Sequence, residues 1–357
     1  MAFSQQNFYE RENFMKKIIA LLLVVCMMFS FAGCGKKEAE YKLGMGVSTS
    51  LDSSKDGQAQ VDSVVAAVVL DADGKIVACK LDAVQNKMKL ENGVDTAATF
   101  KTKMELGDDY NMVKYSEATK EWYEQANNFA AYCVGKTASE VESTQTKVRD
   151  DGLHDGYIVA ADETLFASCS IQITSFVEAI VKACNDEQFT TFKTADEFTL
   201  GVAANSDASS STNPTDEKDG SVNMYSEFAA AVVSTDGKIL ACLTDATQPK
   251  IGFDAEGTIT SKSFNGTKRE LKEGYNMVAY SEATKEWYQQ AKAFTDYCAG
   301  KTAAEVLAIE TKVRADGLHD GYIVAADETL FASCSIQITG MQSVIAKAAD
   351  YAVKPLH

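Results

Sequence analysis

The chain has 357 residues, and 51 acidic against 34 basic residues give it a net charge of −17 at pH 7. An acidic balance of this size keeps a protein soluble and excludes the basic patch that nucleic-acid-binding proteins need. We therefore expect no nucleic-acid partner. At roughly 150 residues per domain, the length predicts two domains behind an N-terminal leader.

The N-terminal segment has the order of a bacterial lipoprotein leader. From Met15 the sequence reads MKKIIALLLVVCMMFSFAGC, in which two lysines precede a short apolar run and small residues precede Cys34. This order predicts a signal peptide and cleavage box over residues 1–34, with a diacylglyceryl group on the Cys34 thiol. A transmembrane anchor fits less well, because the apolar run is shorter than the roughly 20 residues of a span. We expect the protein on the extracytoplasmic face of the cell membrane, held to membrane lipid through Cys34.

Two blocks of sequence occur twice in the chain. Residues 146–174 recur as 311–339 with a single difference, and residues 115–123 recur unchanged as 280–288. We call these the near-identical blocks. Such uneven similarity indicates either a functional constraint on the blocks or a young duplication, and both interpretations stay open.

The repetition divides the chain. We predict a first copy over residues 40–186 and a second copy over 197–352, joined by an acidic linker over 187–196 and preceded by a tether over 35–39. The acidic surfaces give the copies no electrostatic reason to pack on one another. The sequence therefore predicts two globular domains and leaves open whether they pack on each other.

Each copy opens with strand-like sequence, at residues 41–47 and 198–202. Apolar runs over 64–70 and 228–233 are then each followed by an Asp-Gly pair and a second, alternating run. This order is typical of a β-hairpin.

A calcium loop is the alternative interpretation of the first hairpin turn, where Asp71 and Asp73 are two residues apart. The second copy has Ser234 in place of Asp71, and no glutamate follows at the spacing of a calcium loop. We therefore predict no metal site.

Helical periodicity follows the hairpin. Ser116 and Ser281 are the predicted N-caps of a long helix that buries a tryptophan face. Thr137 and Thr302 open Thr-x-x-Glu capping boxes, which predict a second, shorter helix.

Each copy ends in a third helical pattern, over 174–184 and 339–351, and alternating residues at 168–173 fit a strand or tight turn that leads into it. Hairpin, helices and then strand, turn and helix predict an α+β fold. Each of two tandem homologous domains would hold a mainly antiparallel sheet with packed helices.

The chain has nine cysteines. Three of them recur between the copies while Cys184 is unmatched; the matching pairs are Cys79 and Cys242, Cys133 and Cys298, and Cys169 and Cys334. Because three per copy is an odd number and no Cys-x-x-Cys spacing occurs, the sequence indicates neither a disulfide framework nor a zinc site. Cysteines on apolar stripes are instead expected to be small core residues.

His154 and His319 each lie in the sequence Asp-Gly-Leu-His-Asp-Gly. Two Asp-Gly pairs predict consecutive turns that leave the imidazole at the surface. The alternative is a ligand-contacting or catalytic histidine, because imidazole titrates near neutral pH. A hydrolase triad of Ser170, His154 and Asp155 lacks a Gly-x-Ser-x-Gly elbow, so no catalytic residue is assigned.

A segment of small residues, Ala-Ser-Cys-Ser, precedes the final helix of each copy and ends at Ser170 and Ser335. Backbone N–H groups in such a segment can hold a phosphate at a helix N-terminus, where Cys169 and Cys334 could also be redox-active. The alternative is a strand whose small residues pack beneath the final helix.

The order of hairpin, helix, small-residue segment and final helix, on a duplicated lipoprotein, resembles the flavin-mononucleotide-binding domains of bacterial membrane redox complexes. In that family a Ser/Thr-Gly-Ala-Thr segment precedes the last helix, and its final threonine can be esterified to the flavin phosphate. The resemblance covers most of each copy, with a serine in place of the glycine. It implies FMN-binding residues at Ser168, Cys169 and Ser170 and at Ser333, Cys334 and Ser335.

The resemblance implies a flavin-based electron carrier rather than a turnover enzyme, with a flavin transferase and membrane redox proteins as partners. In such a carrier the protein positions the cofactor while the flavin performs the redox chemistry. The alternative function is a non-redox lipoprotein that binds a solute or interacts with the cell surface. His154 and His319 would be ligand contacts in either case.

Overall fold

The computed structural model describes residues 37–357 except Asn92, Leu153, Glu282 and Leu318. The predicted leader and Cys34 lie outside the described residues. From Glu38 onward the chain forms one compact unit. No helix in this described part is long and apolar enough to cross a membrane.

The first copy runs from a set of long strands into short helices. Its elements are β1 (Ala39–Ser50), β2 (Gln58–Leu70), β3 (Ile76–Lys89), β4 (Thr99–Phe100), α1 (Lys103–Leu106), α2 (Met112–Ser116), α3 (Trp122–Cys133), α4 (Ala138–Glu142), β5 (Thr146–Val148), β6 (Ile158–Ala160), α5 (Glu163–Ser168) and α6 (Thr174–Cys184). A 3-10 turn at Gly107–Tyr110 links α1 to α2.

The second copy repeats this order with an additional small sheet. The connection between the copies forms strand β7 (Thr190–Thr194). The elements of the second copy are β8 (Phe198–Asp207), β9 (Gly220–Asn223), β10 (Tyr225–Ser234), β11 (Ile239–Thr247), β12 (Lys250–Phe253), β13 (Ile259–Ser263), α7 (Lys268–Leu271), α8 (Met277–Ser281), α9 (Trp287–Cys298), α10 (Ala303–Leu307), β14 (Thr311–Val313), β15 (Ile323–Ala325), α11 (Glu328–Ser333) and α12 (Thr339–Val353). The strands pair antiparallel and helices pack on the sheets, which confirms the predicted α+β class. The boundaries 40–186 and 197–352 stay a prediction, and we keep them as names for the copies.

The predicted hairpins are present in both copies. Strand β2 pairs antiparallel with β3, and β10 pairs antiparallel with β11. Gly74 and Gly237 occupy the turns with φ of 74° and 81°, a conformation that costs glycine little because it has no Cβ.

Each of the two large sheets has an edge strand that the sequence did not predict. One sheet has the order β3-β2-β1-β7, and its edge strand β7 lies within the predicted linker. The other has the order β11-β10-β8-β4, so a short strand of the first copy pairs with the second copy. The connection is therefore part of the folded structure.

The two sheets face one another and share a hydrophobic core. Alternate residues of β2 point opposite ways: Val65 packs against the second copy's Leu200 and Phe228, while Ala66 packs against the first copy's own helices. Helices α3 and α6 cover the outside of one sheet, and α9 and α12 cover the other. The order is helices, sheet, sheet, helices.

The sequence left open whether the copies pack on each other, and the structure packs them together. Net charge gives no reason for this contact; the decisive feature is the continuous apolar sequence of the central strands. A strand with apolar residues on both faces needs cover on both faces, and each copy has helices for only one. Packing sheet on sheet removes the remaining apolar face from water.

Close approach of helix to sheet depends on two glycines. A Cβ on Gly44 would lie 2.0 Å from the Ala183 carbonyl oxygen of α6, and a Cβ on Gly201 would lie 2.0 Å from the Ala348 carbonyl oxygen of α12. Both final helices therefore pack with their backbone directly on a strand.

Reciprocal contacts join the copies outside the shared core. Arg269 at α7 pairs with Asp186 just beyond α6, with 2.9 Å between Nη2 and Oδ2 and side chains only 7% and 8% exposed. In the opposite direction, Glu105 of α1 pairs with Lys347 and accepts a hydrogen bond from the Tyr351 hydroxyl of α12. The short helix of each copy thus contacts the final helix of the other.

The long helix begins later than predicted. Ser116 is not its N-cap but the last residue of α2, while α3 starts at Trp122 after the N-cap Glu121. The Glu121 carboxylate accepts hydrogen bonds from the Met112 and Val113 N–H groups, which ties α2 to the start of α3. The capping boxes at Thr137 and Thr302 are confirmed.

Candidate functional site

The near-identical blocks of each copy meet at the protein surface. In the first copy, Gln125 of α3 and four residues of the 146–174 block form a chain of hydrogen bonds that we call the polar network; the four are Arg149, Asp151, His154 and Ser170. The second copy has the same network at Gln290, Arg314, Asp316, His319 and Ser335.

Ser170 is held by helix α3. Its backbone N–H donates to the Gln125 Oε1 atom at 2.8 Å, and its hydroxyl donates to the same atom at 3.2 Å. Ser335 and Gln290 make the same two bonds at 2.8 and 3.2 Å. The amide fixes the segment before the final helix against the long helix.

Arg149 links the segment to the loop after β5. Its Nη1 donates to the Ser170 carbonyl oxygen at 3.4 Å, its Nε pairs with Asp151, and its guanidinium lies over the Phe166 ring at 6.0 Å. The side chain is only 18% exposed, so the pair is partly shielded from solvent. A planar guanidinium suits such a bridging position, because its donors point in several fixed directions.

His154 closes the network onto the other near-identical block. Its backbone N–H donates to Asp151 Oδ1 at 3.2 Å, and its ring Nε2 lies 3.1 Å from the Ser116 carbonyl oxygen. A carbonyl only accepts, so the ring Nε2 carries the proton in this bond. The ring stacks on Tyr157 with centroids 5.3 Å apart.

The loop around each histidine consists of turns, as predicted. Asp155 Oδ1 accepts from the Asp151 and Gly152 N–H groups, and Gly152 and Gly156 have φ of 78° and 88°. Asp155 therefore stabilises the loop.

The structure does not assemble a hydrolase triad. The His154 ring bonds the Ser116 carbonyl, the Ser170 hydroxyl bonds Gln125, and Asp155 bonds loop N–H groups. A triad needs the base within hydrogen-bond reach of the nucleophile and the acid on the base. These three residues are neighbours in one network with different partners.

The small-residue segment differs from the predicted strand. Ser168 is the last residue of α5, its hydroxyl donates to the Leu165 carbonyl at 2.9 Å, and Cys169 caps the helix. In the second copy, Ser333 and Cys334 have the same positions and partners. Residues 168–170 therefore turn from one helix toward the next without forming a strand.

The segment offers little to a flavin phosphate. A phosphate is held by N–H groups that lack protein acceptors. Here the Cys169 N–H donates to Leu165 at 2.7 Å, the Ser170 N–H donates to Gln125, and the Ile173 N–H donates to Ile158 at 3.1 Å. These three N–H groups are therefore not free to hold the phosphate of the group that the resemblance implies.

The matching cysteines of this segment are buried thiols. Cys169 and Cys334 are fully buried, and burial raises the pKa of each to about 12. A redox-active thiol needs a lowered pKa, because the thiolate is the reactive form. The core interpretation fits these residues better.

Exposed apolar side chains surround each polar network. In the first copy Tyr115, Val148 and Tyr157 are 75%, 66% and 46% exposed. Their equivalents in the second copy, Tyr280, Val313 and Tyr322, are 86%, 66% and 47% exposed. We call each network with these three side chains a recognition surface. Tyrosine is enriched in binding surfaces because it combines apolar area with a polar end.

Sequence reasoning missed a second group of side chains, which lies inside the second copy and has shifted pKa values. Lys268 is buried beneath the rings of Tyr225, Tyr275 and Trp287 at 4.8, 5.0 and 5.2 Å, and burial lowers its pKa to about 8. Burial also raises the pKa of Glu227. The position of Glu227 within an otherwise apolar strand was the sequence signal that could have revealed this group.

The equivalent interior of the first copy has a different charge pattern. Burial raises the pKa of Asp82 to about 7, and its neighbour on α1 is Met104. Burial raises the pKa of the equivalent Asp245 only to about 6, because Arg269 stands in place of Met104 and favours the charged carboxylate.

Two further features bear on ligands. A cavity of about 40 Å³ lies beside Met104, Tyr351 and His357, far below the roughly 300–1,000 Å³ of small-molecule sites. Within residues 37–357, the described His, Cys, Asp and Glu residues form no group of three or more that could hold a metal ion.

Comparison with known proteins gives one partial likeness. No protein-family model matches the chain, and no solved structure matches it. The chain is similar to a chlorophenol reductase of Desulfitobacterium hafniense, with 29% identity over 135 residues. The match covers 34% of this chain and 41% of that protein, so the likeness shows no family.

Proposed function

We propose that the protein is an extracytoplasmic lipoprotein, anchored through Cys34, that presents two equivalent recognition surfaces to a component of the cell envelope. One observation supports this most strongly. The near-identical blocks that carry the recognition surfaces differ at one position, while some largely buried positions elsewhere differ in charge, among them Val64 and Glu227.

In a duplicated domain, exposed positions usually diverge more than buried ones. Core residues are constrained by packing, and exposed residues away from special features tolerate change. In this chain Val64 of the first copy is replaced by the largely buried Glu227 in the second, and Met104 is replaced by Arg269. The exposed blocks around the polar networks change at one position. A requirement at the surface accounts for this pattern.

The structure of the network supports binding rather than turnover. The Ser170 hydroxyl, the Arg149 guanidinium and the His154 ring each have a protein partner that fixes their orientation. Fixed polar groups beside exposed tyrosines suit recognition, because little side-chain freedom remains to be lost on binding.

Two such surfaces in one compact unit would act together. When a partner repeats, binding at one surface makes binding at the other intramolecular, and the combined affinity exceeds either alone by about 10²–10⁴. A lipid anchor at Cys34 would hold both surfaces near the envelope.

The test is binding of the purified protein to envelopes isolated from the source bacterium. The variant Tyr115→Ala, Tyr157→Ala, Tyr280→Ala, Tyr322→Ala is expected to lose binding while its unfolding midpoint changes little. Val134→Ala with Leu307→Ala removes exposed apolar side chains elsewhere and serves as the control. Equal binding by the fourfold variant and the wild type would overturn the proposal.

A flavin-based electron carrier is the second candidate. The observation in its favour is the partial likeness to a protein named as a reductase. Absorbance and intact mass of the chain, expressed with a flavin transferase, test it directly. Flavin bands with a mass gain that disappears in Ser170→Ala with Ser335→Ala would support the carrier, whereas a colourless protein of unmodified mass that also fails to bind added FMN would contradict it.

A further inference from the structure

The cysteines that match between the copies lie beneath the long helix of each copy. In the second copy Cys242 of β11 and Cys298 of α9 belong to the same hydrophobic core and are 2% and 0% exposed. They come from elements that pack directly on one another. Two thiols are thereby placed in one small region of the interior.

The position of the Cys242 sulfur relative to α9 is well defined. Its Sγ donates to the Thr295 carbonyl oxygen at 3.4 Å. Cys298 follows Thr295 by three residues, so it lies one turn further along the same face of the helix. The Cys298 thiol also raises the pKa of the Cys242 thiol, as a neighbouring group does.

The first copy provides a comparison. Cys79 and Cys133 occupy the equivalent positions, but Ala130 stands where the second copy has Thr295. Among the described residues, no hydrogen bond joins the Cys79 sulfur to α3. Two thiols, Cys133 and the unmatched Cys184, contribute to the raised pKa of Cys79, whereas Cys298 is the thiol that contributes to that of Cys242.

We propose that Cys242 and Cys298 form a disulfide when the protein folds outside the cytoplasm. The inference rests on the proposed extracytoplasmic location, because disulfides persist on the oxidising side of the membrane. Sequence reasoning indicated no such pairing, because the two residues are far apart in the chain and come together only when β11 packs on α9.

The oxidant is a disulfide, either of a thiol-disulfide oxidoreductase or of a small thiol. One protein thiolate attacks it, forms a mixed disulfide and releases one thiol. The second protein thiolate then attacks the mixed disulfide and releases the other. Two cysteine thiols lose two electrons and two protons, and the oxidant is reduced to two thiols.

Oxidation must precede complete burial. Burial and the neighbouring thiol raise the pKa of Cys242, so the thiolate is scarce once the core has formed. The bond therefore forms during folding, when both thiols are still in contact with the solvent.

The test refolds the reduced, denatured chain of residues 34–357, with Cys34→Ser, in a buffer of reduced and oxidised glutathione. Cysteines are then alkylated in denaturant before and after reduction, and the peptides are mapped by mass spectrometry. The peptides containing Cys242 and Cys298 should be linked and two hydrogen atoms lighter, and alkylated only after reduction. Those containing Cys79 and Cys133 should be alkylated in both samples, which makes them the internal control.

Alkylation of all cysteines without reduction would overturn the proposal, as would a bond between any other pair. Cys242→Ala and Cys298→Ala should each leave the other residue open to alkylation, and the wild-type map decides the matter if neither variant folds. Because refolding takes place in vitro, the result is independent of location. Alkylation in intact cells tests the location separately, and free thiols there beside a bond in vitro would count against the proposed function.

Discussion

The two copies differ at several buried positions, whereas the near-identical blocks around the polar networks differ at only one. The second copy has buried charge at Glu227, Lys268 and Arg269, while the first copy has Val64 and Met104 at two of these positions. The exposed residues of the near-identical blocks are the same in both copies except at Asp150, which is Ala315 in the second copy. The comparison indicates that the recognition surfaces have diverged less than these buried positions.

One of the buried differences lies at the contact between the two copies. Arg269 pairs with Asp186 at the end of the first copy, and Met104 makes no equivalent ion pair. The two copies therefore contribute unequally to the contact between them. Changes at this contact should have larger effects than changes within the surfaces, and the predictions below run in that order.

The largest effect is expected from Arg269→Met, which gives the second copy the residue of the first. It leaves Asp186 buried without its cation, and breaking a buried ion pair costs about 3–5 kcal/mol. Urea unfolding measures the loss of stability. Lys272→Met breaks the exposed pair with Glu187 and is the matched control, for which we expect almost no change. Equal losses in the two variants would show that the buried pair contributes nothing special.

A pH effect is expected from Asp82. Its pKa is raised by burial to about 7 in the folded protein, against about 3.9 when unfolded. The folded state therefore holds the proton more tightly, so this contribution is fully present below pH 4 and is lost as pH rises to about 7. Its size is on the order of 4 kcal/mol.

Asp82→Asn should remove this pH dependence, as measured by urea unfolding between pH 4 and pH 8. Asp245→Asn should remove the pH dependence of stability over a narrower pH range that ends near pH 6, because Arg269 favours the ionised carboxylate of Asp245. Identical pH profiles for the two variants would contradict the assigned difference between the copies.

Close packing of helix on sheet should be equally sensitive in both copies. Gly44→Ala and Gly201→Ala each place a methyl group against a helix carbonyl and should cost about 1–3 kcal/mol or more. Gly274→Ala is the control, since nothing lies within 4 Å of its added Cβ. Thermal unfolding of the three variants provides the measurement, and a stable Gly201→Ala would argue against this packing.

The smallest effect is expected within the polar networks. Gln125→Ala and Gln290→Ala leave the half-buried N–H groups of Ser170 and Ser335 without an acceptor, at a cost of about 1 kcal/mol. The two losses should agree within error, because the surroundings are the same in both copies. A clear difference would mean that the copies are not equivalent at the surface.

The sequence predicts local structure well in this chain. The Asp-Gly turns at Gly74 and Gly237 and the capping boxes at Thr137 and Thr302 depend on residues close in sequence, and all were found where predicted. The α+β class follows from their order. Ser116 was misread because Glu121, five residues later, provides a stronger N-cap together with Glu124.

Features that depend on contacts between distant parts of the chain could not be predicted from the sequence in the same way. The packing of sheet on sheet, strand β7 in the predicted linker and the pairing of β4 with β8 all depend on contacts between the copies. Gln125 was not singled out either, since an amide on a helix gains its role only when Ser170 is brought to it. Repetition of the sequence was nevertheless a sufficient signal for the two surfaces.

The central claim is that the two surfaces are equivalent in function. Binding of the protein to isolated envelopes, titrated for the wild type, Tyr115→Ala with Tyr157→Ala, and Tyr280→Ala with Tyr322→Ala, tests it most directly. We expect each pair of changes to weaken binding equally, by about 10²-fold or more because one of two linked contacts is lost. Loss of binding in one pair and none in the other, or in neither, would contradict the account.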